Sequence, residues 1–206
     1  MKQIRVPTLQ HLARNWNEDP LVISQNLLEL IENPPPYSYS AMQSILLDLV
    51  FSRTDIDTAE KAMRRTEGRE TFRDGCIQIL KIASEYFTAL EPDYVVSVQG
   101  RYYSISRDIQ IPFHPLLMYG KNGKTIIPWF SFWASKPLKG ESLSFFTSLV
   151  DEMVHSHPDY EDVELEILDF SAPNSKSPRD LKIVDSHSIP RIENSRLAER
   201  LEIFAS

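Results

Sequence analysis

The stretch Pro128-Trp129-Phe130-Ser131-Phe132-Trp133 constrains the fold more than any other part of the chain. As a β-strand it turns Trp129, Ser131 and Trp133 to one side and Phe130 and Phe132 to the other, because successive side chains alternate across a strand. Both faces are then apolar, as expected of a strand in the middle of a sheet covered on both sides. Pro128 argues against a central position near the start of this strand, since proline cannot donate to a ladder. A partner is close by: Leu116–Tyr119 and Thr125–Phe132 flank Gly120-Lys121-Asn122-Gly123-Lys124, and Asn-Gly favours a hairpin because both residues tolerate positive φ.

Helices to cover such a sheet are legible in the front half, where apolar residues recur every three or four positions. A short helix is expected from Leu9 to Trp16, and a second opens at Asp19-Pro20 and stops at Asn33-Pro34-Pro35-Pro36, where three prolines remove backbone donors. Ser40 is the expected cap of a third helix ending near Arg53. Asp57 with Glu60 has capping-box spacing for a fourth, which runs to about Thr66. Glu70–Leu90 carries a continuous apolar face through Phe72, Cys76, Ile79, Leu80, Ala83 and Phe87, and Gly75 within it suggests a close helix crossing.

After Glu91-Pro92-Asp93 the period shifts towards two. Tyr94–Val98 and Tyr102–Ser106 flank Gln99-Gly100, readable as a tight turn, and Leu143–Val154 is a further amphipathic helix. Val163–Phe170 alternates as a half-buried strand with a partner at Leu181–Asp185, and Asn194 caps a short final helix. The expected class is α+β: a helical N-terminal half of four to five helices, then a mixed or antiparallel sheet of five to six strands covered by helices. Residues 1–91 form the helical region and 92–206 the strand-rich region, packed as one unit.

With 206 residues, 42% hydrophobic and 25% charged, the chain can bury a core without metal or disulfide support. A net charge of −7 sets nucleic acid at a disadvantage as a partner. The single cysteine, Cys76, excludes an intrachain disulfide and a Cys-based zinc site. No stretch approaches ~18 consecutive apolar residues and Met1–Pro7 lacks a signal-like apolar run, so no membrane partner is expected and the cytoplasm is the default location.

Four constellations bear on chemistry. Ile111-Pro112-Phe113-His114-Pro115 and the Trp129–Trp133 stretch bring His114, Trp129, Trp133, Tyr102 and Tyr103 into consideration as a binding surface, since aromatic rings supply large contact area at low entropic cost; a buried aromatic core competes with this reading. Asp180-Leu181-Lys182, preceded by Pro158-Asp159 or by Asp169, spells the residues of the PD-(D/E)XK nuclease pattern, in which acids hold a divalent metal such as Mg and the lysine assists the attacking water. Asp151, His155, His157, Asp185 and His187 can be drawn as a metal cluster, although a helix C-terminus attracts histidine by its dipole alone. Lys61, Arg64, Arg65, Arg69 and Arg73 approach helical spacing, and the interspersed acids point to a salt-bridged surface.

The preferred reading is a non-enzymatic protein-binding or assembly protein acting on a protein partner or by self-association, without a cofactor. The alternative is a metal-dependent hydrolase or nuclease using Asp169, Asp180 and Lys182, and a third is a small-ligand pocket between sheet and helices.

Overall fold

The computed structural model describes residues 4–5, 9–14, 16–17, 19, 21–22, 25–26, 29, 32, 38–104, 109–133, 137–172, 177–193, 196–197 and 199. Among them the chain runs β1 (Ile4–Arg5), α1 (Leu9–Arg14), α2 (Ser40–Phe51), α3 (Ile56–Arg64), α4 (Glu70–Leu90) and β2 (Tyr94–Val96). It continues with β3 (Arg101–Ser104), β4 (Ile109–Phe113), β5 (Met118–Lys121), β6 (Lys124–Ser131), α5 (Gly140–His155), β7 (Val163–Asp169) and β8 (Lys182–Asp185). The described residues between 21 and 32 are helical, and Asp19 Oδ1 accepts from the Leu21 N–H at 2.9 Å, as the Asp-Pro start requires. Most of the expected final helix lies outside the described residues.

The larger sheet has the order β2-β5-β6-β7-β8 and is mixed, with β6 and β7 parallel and the other pairs antiparallel. β6 is its middle strand. Ile127 and Trp129 face a core built with α1 and α5, whereas Ile126, Phe130 and Phe132 face a second core built with α2, α3 and α4. Trp129 meets Phe146 of α5 edge-on at 5.5 Å, and Phe130 stacks with Phe87 of α4 at 6.3 Å. Each large apolar side chain buried this way contributes about 1.5–3 kcal/mol. The α+β class follows directly from this arrangement.

Pro128 fits the central strand because the β5 ladder ends at Ile126, so that among the described residues β7 is its ladder partner there and the missing donor costs at most one hydrogen bond. The hairpin turn is tighter than the expected five residues: Asn122 (φ 52°) and Gly123 (φ 77°) form it alone, the two left-handed positions that a strand twist demands.

Several local expectations are corrected. Tyr94–Val96 and Arg101–Ser104 do not form a hairpin across Gln99-Gly100: β2 joins β5 in the large sheet, and β3 joins β4 and β1 in a separate three-stranded sheet. Burial decides this, since Ile111, Phe113 and Tyr103 of the small sheet complete the core around α5. Asp55, not Asp57, caps α3, accepting from Thr58 N and Thr58 Oγ1 at 2.9 and 2.7 Å. Ser40 is the first residue of α2 rather than its cap, and its N–H is satisfied by Ser38 Oγ. The nearest atoms that a Cβ on Gly75 would meet belong not to a crossing helix but to the Arg179 side chain, with Nη2 at 3.4 Å. α1 packs against α5 and β4, on the opposite side of the sheet from α2–α4.

Candidate functional site

The aromatic residues singled out in the sequence are divided among three environments. Trp129 and Tyr103 belong to the α5-side core, Trp129 against Phe113 at 6.0 Å and Tyr103 with its hydroxyl donating to Glu152 at 3.4 Å. Tyr102 and His114 are exposed together on the small sheet, ring edge to ring face at 5.7 Å. Trp133 stands at the end of β6, where its Nε1 donates to Gln10 Oε1 at 3.3 Å and the Arg14 guanidinium lies over its ring at 3.6 Å.

The carboxylates and lysine of the nuclease pattern are brought only partly together. Asp169 and Lys182 are paired across β7 and β8, but both Asp169 oxygens accept from Ser171, from its N–H at 3.1 Å and its hydroxyl at 2.9 Å. Asp180 is exposed, and its Oδ1 accepts from the Leu181 N–H. Asp151 accepts from Arg191 at 2.7 Å and holds His155 at 3.3 Å. Among the described residues no three His, Cys, Asp or Glu side chains meet as a metal site would require. Arg64 bridges Glu60 and Asp74, and Lys81 pairs with Glu60, so this part of the basic stripe is an ion-paired surface.

A different surface collects what the sequence did not single out. Phe51 at the end of α2 and Tyr94 and Val96 of β2 are 41%, 46% and 39% exposed, and Phe51, Tyr94 and Val95 line a groove of about 540 Å³ between the C-termini of α2 and α4 and the β2 strand. Among the described residues β2 is an edge of the large sheet. It carries no charge, whereas the opposite edge, β8, carries Lys182 and Asp185, the usual protection of an unpaired strand. Among the described residues three non-glycine positions have positive φ; two of them, Arg53 (50°) and Glu91 (47°), line this groove as the left-handed ends of α2 and α4.

Between α4, β5 and β7 two phenols converge on one carboxylate oxygen. Tyr86 and Tyr119 donate to Glu166 Oε2 at 2.8 and 3.0 Å, and their hydroxyls are 3.4 Å apart. Burial pushes both phenols far above the ordinary tyrosine range, and the Glu166 charge adds to it. Cys76 is buried, its thiol pushed up to about 11 by desolvation that the nearby Arg179 partly offsets, which leaves it a packed apolar side chain rather than a nucleophile.

The chain matches no protein-family model, and no curated protein is a detectable relative. Among the described residues no helix is long and apolar enough to cross a membrane. Phe51 could have been noticed as an aromatic set beside the apolar stripe of its own helix. Nothing local marks Tyr94 and Val96 as an edge.

Proposed function

We propose that this chain is a non-enzymatic protein-binding module that takes an extended segment of a partner protein along the β2 edge. The observation that carries this reading is an uncharged edge strand, with Tyr94 and Val96 exposed, next to a groove lined by Tyr94, Val95, Phe51 and Phe87. Strand addition draws its affinity from main-chain hydrogen bonds and its selectivity from pockets that receive alternate side chains. A groove of about 540 Å³ holds a few such side chains and lies within the usual range of binding pockets. The carboxylate–lysine alternative has less support, because Asp169 spends both oxygens on Ser171.

The test is selection of displayed random peptides on the full chain, followed by amide exchange of the complex. Selected peptides should slow exchange at residues 94–96, and Val96→Lys should weaken them roughly tenfold or more, since a charge on the edge opposes pairing. Peptides that bind Val96→Lys equally well, or that leave β2 exchange unchanged, overturn the proposal. Protection of the same amides by a dimer of the free chain would assign the edge to self-association instead.

A further inference from the structure

The groove beside β2 has a wall of two kinds. Leu49, Phe87 and Val95 make part of it apolar, whereas Arg53, Glu91 and Asp93 bring charge, two carboxylates against one guanidinium among the described residues. The Glu91 carboxylate makes no hydrogen bond or ion pair among the described residues, and one oxygen of Asp93 accepts from the Asn122 N–H at 3.0 Å.

Two helix ends add to the negative side. α2 and α4 both finish at the groove, and neither has a basic residue in its last turn. The unsatisfied carbonyls of a helix C-terminus amount to about half an elementary negative charge. Arg53 follows the end of α2, and Lys121 reaches the end of α4 from outside the lining, donating through Nζ to the Glu91 carbonyl at 2.7 Å. The acids Asp48 and Asp55 flank the same turn beyond α2. Against two carboxylates and two helix ends, two cations leave the groove with an excess of about one negative charge.

A side chain that suits both parts of this wall has a long aliphatic stem ending in a cation, because the stem lies along apolar surface while the head stays at the wet rim. The exposed rings of Phe51 and Tyr94 favour the same group, since ring faces attract cations. A net charge of −7 draws basic partners from a distance as well. On a strand added to β2, every second side chain shares the side of Val95, which packs towards the core of α2–α4, so a single basic residue can enter the groove while its neighbours face away.

We infer that the partner segment taken up along β2 is basic and places a lysine or arginine side chain in this groove, against Glu91 and Asp93. The inference rests on the strand-addition reading and adds to it the chemistry of the segment.

The experiment sequences the random peptides that displayed selection enriches on the full chain. Lysine and arginine should outnumber aspartate and glutamate among peptides that slow amide exchange at residues 94–96. The tightest of them is then synthesised with each basic residue in turn changed to glutamine or glutamate, and titrated against wild type and Glu91→Gln. At one position glutamine should weaken binding to wild type roughly threefold to tenfold and glutamate more, and the lysine–glutamine difference should shrink in Glu91→Gln and at high salt. Protection of residues 94–96 by peptides with no basic excess, or equal binding of the basic and glutamine forms, overturns the charge assignment and leaves strand addition standing. A difference undiminished in Glu91→Gln overturns the placement against Glu91. Peptides that bind without protecting residues 94–96, or no enriched peptide at all, overturn strand addition and this inference with it. If Glu91→Gln does not fold, the peptide series on wild type decides alone.

Discussion

The Tyr94 ring lies against the backbone of Gly120, its partner across β2 and β5, so closely that a Cβ on residue 120 would overlap Tyr94 Cε1. The Tyr94 hydroxyl is then 2.7 Å from Thr125 Oγ1 on the next strand, so one side chain spans the edge of the sheet over a residue with no side chain. Gly120→Ala should displace the ring, break that hydrogen bond and destabilise the fold by about 1–3 kcal/mol. Chemical denaturation measures the loss, and a variant as stable as wild type would show that the ring swings away freely.

Arg179 ties the ends of two parallel strands together. Its Nη1 donates to Phe132 O, Trp133 O and Phe170 O at 2.8, 3.3 and 3.2 Å, just past the ends of β6 and β7. Arg179→Met removes the donor and leaves part-buried carbonyls without it, a loss of about 1–3 kcal/mol that a denaturation midpoint would report.

Gly75 offers a change of opposite sign. A Cβ there meets Arg179 Nη2 and Nε at 3.4 and 3.5 Å, ordinary van der Waals contact, so alanine fits without moving the guanidinium. Gly75→Ala should raise stability by up to about 1 kcal/mol through helix propensity in α4, read as a higher Tm.

The phenol pair predicts an alkaline limit. Tyr86 and Tyr119 keep their protons in the folded chain beyond the ordinary value of about 10, first through burial and then through Glu166. A raised folded-state pKa contributes stability that is complete below pH 10 and is lost as pH rises above it, because the unfolded chain releases those protons first. Stability should therefore fall steeply above pH 10, and ultraviolet titration should show two of the eight tyrosines ionising only as the chain unfolds. The double variant Tyr86→Phe, Tyr119→Phe should flatten that limb.

Much of this architecture is local information. The apolar face of Glu70–Leu90, the alternation of Val163–Phe170 and the Asn122-Gly123 turn depend on neighbouring residues alone, and the structure contains each. The candidate site is another matter. Tyr94–Val98 and Tyr102–Ser106 look like two arms of one hairpin, yet their pairing was decided by which core needed covering. Of the aromatic residues that the sequence singled out, Trp129 and Tyr103 went to that core and Tyr102 and His114 to an exposed edge.

The doubly apolar stretch Trp129–Trp133 by itself determined that a strand would lie at the middle of a sheet with helices on both sides, because neither face can remain in water. Only the tertiary structure decided that Trp133 would meet Arg14 and that β2 would be left as an open edge. Periodicity records which side of an element is apolar. It does not record which distant segment arrives there, since that choice is made by the burial of the whole chain and not by any one part of it.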